Sequence, residues 1–228
     1  MTGITDHLGK IRARVAQAAV RSGRPASAIT LVGVSKGHPC TAVQSGLAAG
    51  LRDFGENYLQ EALPKIAACD REAVWHFIGR IQSNKTREIA THFAWTHTVT
   101  SARIAERLAA QRPHHGEPLQ VCIQLQPEAG AGPMRMGCPR AEVPALATLI
   151  AGLPRLRLRG LMLLPNAGLD ADALRVEYRG TRALLAALQA DGHALDTLSM
   201  GMSDDFELAI EDGSTMIRVG TALFGKRP

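Results

Sequence analysis

At 228 residues, 46% apolar and 21% charged, the chain is large enough to bury a substantial core as one domain, and its composition excludes the disordered and fibrous classes. Its formal net charge of +5 does not read as a nucleic-acid surface, because the basic residues are dispersed and only 4% of residues are aromatic; binding small anions such as phosphate is the alternative use. No apolar run is long enough to span a bilayer and the opening residues lack the layout of a secretory signal, so a cytoplasmic protein without a membrane partner is expected.

In chain order, residues 6–21 place Leu8, Ile11, Val15, Ala18 and Ala19 on one helical face with basic residues opposite, which predicts an amphipathic helix. Beyond it, short apolar runs alternate with helix-like segments. Strands are expected over 29–35, 52–56, 74–79, 95–99, 119–126, 156–165, 195–200 and 215–223, and helices over 42–49, 58–68, 85–92, 102–111, 142–151, 172–190 and 204–211. Strands alternating with helices imply parallel crossovers, and eight such units fit a single (β/α)8 barrel spanning 1–228, preceded by one extra helix. The other arrangement, an open doubly wound sheet, would show a G-x-G-x-x-G turn after the first strand; SKGHPC (35–40) stands there instead. No internal repeat or low-complexity linker divides the chain.

The four cysteines, Cys40, Cys69, Cys122 and Cys138, are far apart in sequence with no C-x-x-C pair, so neither a zinc site nor a disulfide framework is expected and the thiols are read as reduced. The adjacent histidines His114 and His115 fall in a Pro/Gly-rich stretch that reads as a solvated loop, and no metal site is expected. The most Gly/Pro-rich stretch, 127–139, follows the fifth strand, which in a barrel puts it on the rim where active sites are built.

Lys36 follows directly on the apolar strand and Ser35, so its amine belongs at the strand's C-terminal end, at the barrel mouth. An amine against apolar walls loses its proton more easily and condenses with aldehydes; the bland alternative is a rim lysine in a surface loop. Barrel closure pairs the eighth strand with the first and brings Arg218, Gly220 and Thr221 beside it. The loop after the seventh strand adds Ser199, Gly201 and Ser203, and loops after strands seven and eight are where this architecture binds phosphate. Here too there are bland readings, Ser203 as a helix N-cap and Gly-Thr as a common turn. An amine beside a phosphate cradle is what a phosphorylated aldehyde requires, and pyridoxal 5'-phosphate (PLP) is the candidate. Arg218 could point inward at the pyridine nitrogen, where a guanidinium would oppose protonation and weaken the cofactor as an electron sink.

The segments VGVSKGHP (32–39), FGENYLQEALPK (54–65), WHFIGRIQSNK (75–85), RGLMLLP (159–165) and LSMGMSDDFELAIEDGSTMIRVGTALFG (198–225) together resemble the pyridoxal phosphate homeostasis (YggS/PROSC) family over nearly the whole chain. The resemblance implies a barrel of the alanine-racemase N-terminal-domain type, PLP held as an internal aldimine on Lys36, and a role in vitamin B6 homeostasis rather than a defined reaction. It implies that Arg218 faces the pyridine nitrogen and that Ser199, Ser203, Gly220 and Thr221 hold the phosphate. It also implies that Asn57 lies near the ring and His76 near the barrel interior; Asn57 reads equally as a helix cap and His76 as a satisfied core histidine. The implied partner is PLP, with PLP-dependent apo-enzymes as a further candidate that the sequence leaves open, and a monomer is the simplest expectation. The sequence departs from the pattern at Arg80 and Ile81 and at Arg135, which stands where the family's loop carries a lysine; an arginine keeps the charge but not the geometry. Lys85, in the first turn of a helix after Ser83 as N-cap, opposes the helix dipole, a conflict that a bound anion would relieve; the plainer reading, for it and for Lys65, is a solvated lysine.

Two other activities use the same parts. An amino-acid racemase needs an acid/base on each face of its substrate. The two tyrosines, Tyr58 and Tyr178, lie in no strand-end motif opposite Lys36, and the second domain that racemase relatives add is not expected in a chain ending at Pro228. A Schiff-base aldolase would need a further acid/base near the lysine.

Overall fold

The computed structural model of the chain describes residues 3–69, 72–129 and 136–226. Its strands are β1 (Thr30–Val34), β2 (Asp53–Glu56), β3 (Val74–Phe77), β4 (Trp95–Val99), β5 (Leu119–Gln124), β6 (Leu156–Met162), β7 (Thr197–Ser199) and β8 (Met216–Val219). They pair in sequence order, all parallel, and close with β8 against β1. The helices are α1 (Ile4–Arg21), α2 (Cys40–Ala48), α3 (Leu59–Ala68), α4 (Thr86–His92), α5 (Ala102–Gln111), α6 (Val143–Ala151), α7 (Ala171–Ala190), α8 (Phe206–Glu211) and α9 (Thr221–Phe224). This is the (β/α)8 barrel expected, with α1 as the extra N-terminal helix.

The main apolar core lies where strand residues meet the surrounding helices: Phe54, Ile89, Ile123, Ile150 and Phe206 are among its fully buried side chains. Parallel strands covered by helices need apolar residues on that side, which is why their sequences read as runs rather than strict alternations. The barrel interior is different. His76, His97, Ser199 and Arg218 are all buried on alternate strand positions, where barrels usually carry branched apolar layers.

The α1 helix buries the face that periodicity predicted, Leu8, Ile11, Val15, Ala18 and Ala19. It is fastened to the end of the chain. Arg14 pairs with Glu207 at 2.5 Å and Arg21 with Glu211 at 2.6 Å. Just past the helix, Arg24 donates to the carbonyls of Ile210 and Ser214. The α1 helix thus braces α8 and α9, the two short helices that follow β7 and β8.

Several expectations are corrected. Residues 221–223 are not the end of the eighth strand; β8 stops at Val219 and Thr221 opens α9. Ser203 does not cap the following helix, which starts at Phe206; Asp205 stands at the cap and its carboxylate accepts from the Met202 N–H at 2.5 Å. Ser83 is no side-chain cap either: residues 83–85 form a 3-10 turn, with the Thr86 hydroxyl donating to the Ser83 carbonyl at 2.9 Å. Asn57 precedes the cap position of α3, which Tyr58 occupies. Lys65 is not solvated: it is 6% exposed and paired with Glu56. Its strand neighbour Phe54 faces the helices, so Glu56, two residues on, faces them too and meets α3.

Candidate functional site

At the C-terminal end of β1 the chain turns through Ser35, Lys36 and Gly37 into α2, and this turn is gripped from the side by α3. The Lys65 ammonium donates to the Ser35 carbonyl at 2.8 Å and to Glu56 Oε1 at 2.7 Å, while the Ser35 hydroxyl donates to the same carboxylate oxygen at 2.6 Å. Four residues before Lys65 on the same helical face, Glu61 accepts the Gly37 N–H at 2.7 Å. Burial pushes the Glu56 carboxyl up, against the opposing pull of Lys65 and Ser35. Lys36 is therefore carried on a backbone fixed on both sides.

The turn opens on a cavity of about 270 Å³ at the barrel mouth, of the size of the smaller ligand pockets. Its wall brings together Lys36, Asn57, Ser203, Arg218, Gly220 and Thr221, residues from four separate strand ends. Val34, Ile78, Met162 and Leu164 supply apolar wall, and His38 and the exposed Asp204 complete the polar part. The backbone permits this closeness at two glycines. A Cβ on Gly79 would lie 2.1 Å from the Asn57 carbonyl oxygen. Gly201 has φ +94, and a Cβ there would lie 2.7 Å from that of Ala209, so the turn leading to Ser203 tolerates only glycine without strain.

Arg218 is the charged centre of the site. It is 5% exposed, donates from Nη1 to the Ser199 hydroxyl at 2.7 Å and from Nη2 to the Leu163 carbonyl at 3.0 Å. Among the described residues no carboxylate forms an ion pair with it, and burial lowers its pKa to about 10, which leaves it charged at neutral pH. A buried guanidinium without an acid partner is a standing demand for an anion or a strong dipole. A second demand comes from Asn57, whose side-chain oxygen is buried with no hydrogen-bond partner, a state costing about 1–3 kcal/mol when left so.

Ser199 and His76 lie elsewhere than the cavity wall. The Ser199 hydroxyl is engaged by Arg218 and by His97 Nδ1 at 2.8 Å, inside the barrel. His97 Nε2 in turn meets His76 Nδ1 at 2.9 Å, and His76 Nε2 meets Asp53 at 2.9 Å. His76 also stacks on Trp95, with centroids 5.4 Å apart. Burial, then His76 and Arg218, hold the His97 imidazolium well below its usual range, so this ring is neutral. Ser199, expected at the phosphate, meets Arg218 and His97 here and is not part of the cavity wall. Sequence reading missed His97, Glu56 and Glu61. The available signal was a charged residue on the helix-facing side of a strand, which demands a partner from the next helix. Arg135 and the loop argument attached to it lie outside the described residues.

A group holding an aldehyde, an anion and an aromatic nitrogen would find a counterpart for each here: a lysine on a fixed turn, hydroxyl and backbone donors, and a buried guanidinium. Thr221 and Ala222 open α9, and the first N–H groups of a helical turn have no partner within it.

The alanine racemase N-terminal domain family matches residues 7–228. The chain is 49% identical over its whole length to the pyridoxal phosphate homeostasis protein of Pseudomonas aeruginosa, covering 97% of that protein, and 44% identical to that of Escherichia coli K12, covering 98%. Among solved structures it is similar to PipY of Synechococcus elongatus PCC7942 with PLP bound, at 38% identity and TM-score 0.80 over 94% of this chain and all of that one. Alanine racemase from Corynebacterium glutamicum shares the fold at 16% identity and TM-score 0.73, this chain spanning 62% of it.

Proposed function

Because this chain belongs to the pyridoxal phosphate homeostasis proteins, a family built on the alanine racemase N-terminal domain, we propose that it binds PLP at the barrel mouth, anchored by Lys36, and that it stores and delivers the cofactor rather than turning over a substrate. The observation that carries this reading is one cavity that joins Lys36, the buried guanidinium of Arg218 and the unpartnered oxygen of Asn57.

When bound, PLP supplies an aldehyde carbon, an anionic phosphate and a pyridine nitrogen. On the protein side, Lys36 presents the amine, and Glu61 and Lys65 hold its turn in place. The Ser203 and Thr221 hydroxyls and the backbone from Gly220 onward are the donors for phosphate. Arg218 stands for the ring nitrogen: a fixed positive charge there disfavours protonation and mutes carbanion chemistry. Asn57 Oδ1 offers an acceptor to a donor on the ring substituents. Ser199 and His76 act behind Arg218, fixing its direction, and do not touch the ligand.

The racemase-like reading gains nothing from the tyrosines. The Tyr178 hydroxyl is committed to Asp205 at 2.7 Å, and burial with that carboxylate pushes its pKa up; Tyr58 is exposed and lies outside the cavity. The proposal extends to a cytoplasmic monomer that exchanges PLP with apo-enzymes; among the described residues no helix is long and apolar enough to cross a membrane.

The test is the absorbance of the purified protein and of Lys36→Ala before and after borohydride reduction. A band near ~420 nm, absent in the variant and fixed by reduction to the Lys36 peptide, is expected. A protein that stays colourless after incubation with PLP would overturn the proposal.

A further inference from the structure

The α3 face that grips the lysine turn does not end at Lys65. Glu61, Lys65 and Cys69 follow at intervals of four residues, one per turn, and lie on one stripe. The first holds the Gly37 N–H and the second the Ser35 carbonyl. The third, at the C-terminal cap of α3, places its sulfur 3.2 Å from that of Cys40, the first residue of α2. Both cysteines are half-buried and free. The loop from Ser35 to Cys40 that carries Lys36 is thus held at three successive points, and the last of them is a pair of thiols.

We propose that Cys40 and Cys69 are a redox-modification site, oxidised to a disulfide by low-molecular-weight disulfides, and that the bond locks the loop bearing Lys36 onto α3. A disulfide requires about 2.0 Å between sulfurs, so a small side-chain rotation closes the gap. In the first step the Cys40 thiolate attacks the small disulfide, forming a mixed disulfide and expelling one small thiolate. In the second the Cys69 thiol displaces the other small thiol, giving the Cys40–Cys69 bond. Two protein thiols are oxidised and one small disulfide is reduced to two thiols, with protons passing to the departing thiolates. Cys40 opens α2, whose first N–H groups favour an anionic sulfur, so it is the attacking group and Cys69 the resolving one. Cys122 and Cys138 are buried, with burial raising them to about 12 and about 11, and are internal controls.

The experiment titrates the reduced full-length protein, without PLP, against mixtures of reduced and oxidised glutathione. N-ethylmaleimide then blocks the remaining thiols, and intact mass and peptide maps are read. The expected product is lighter by two hydrogens, with Cys40 and Cys69 joined in one peptide pair; Cys69→Ser retains one glutathione on Cys40. Hydrogen exchange of the 36–40 loop slows roughly threefold or more on oxidation. Alkylation of both cysteines at every glutathione ratio, or glutathione persisting on Cys40 of the unaltered chain, overturns the site. Unchanged loop exchange in the cross-linked protein overturns the lock.

Discussion

Glu56 and Lys65 form a buried ion pair in which one carboxylate oxygen receives both the ammonium and the Ser35 hydroxyl, while the other is buried without a partner. Because burial holds the Glu56 carboxyl above its ordinary value, folding favours its protonated form. Its contribution is fully present below the unfolded-state pKa and is lost as pH rises through the folded one. In Lys65→Met the cation is removed and the acid is left alone. Breaking a buried pair this way costs about 3–5 kcal/mol near neutral pH, and the deficit shrinks at acidic pH as the acid protonates and no longer needs a counter-ion. Urea unfolding at both pH values measures it. An equal deficit at both would show that the lysine acts only by packing its stem.

At the scale of elements, the side of the site proposed to hold phosphate rests on two short helices, α8 and α9, which gain their footing from α1 and from one tight turn. Gly201 leaves β7 at φ +94 and aims the chain at Ser203. Gly201→Ala forces a Cβ into Ala209 and costs roughly 1–3 kcal/mol. It shifts the Ser203 turn and raises the Kd for PLP about tenfold, equivalent to ~1.4 kcal/mol. Absorbance titration reads the affinity and thermal melting the stability. Lost stability with unchanged affinity would separate that turn from phosphate binding. The same region shows where pattern reading stops: residues 221–223, Thr-Ala-Leu, continue the apolar run of β8, and three residues are too few to separate a strand period from a helical one.

Across the whole molecule, the barrel is legible because short strand-length segments, most of them apolar, alternate with helix-length ones, and closure then delivers Lys36 and Arg218 to one mouth. Depth is not legible. Ser199 and Arg218 both point inward, yet which inward position meets the cavity and which lies beneath depends on strand tilt and register, set by pairings far apart in sequence. The polar chain of His76, His97 and Ser199 likewise comes from three strands and leaves no local motif. Since the site joins the first and last strands of the barrel, PLP should stabilise the entire fold. At about a hundred times Kd the gain is ~2.7 kcal/mol, or roughly 5–10 °C in Tm for a domain of this size. Calorimetry on the unaltered chain and Lys36→Ala checks it, with a smaller shift expected in the variant; identical shifts would detach the lysine from binding. The chain of polar groups through the barrel has a sense of direction. With both rings neutral, the Asp53 carboxylate, which only accepts, leaves the intervening groups one arrangement: His76 gives from Nε2 to Asp53, His97 gives from Nε2 to His76, and Ser199, which accepts from Arg218, gives its hydrogen to His97 Nδ1. Both imidazole tautomers are dictated from outside, and the barrel axis becomes a polarised column, positive at the mouth and negative at the floor.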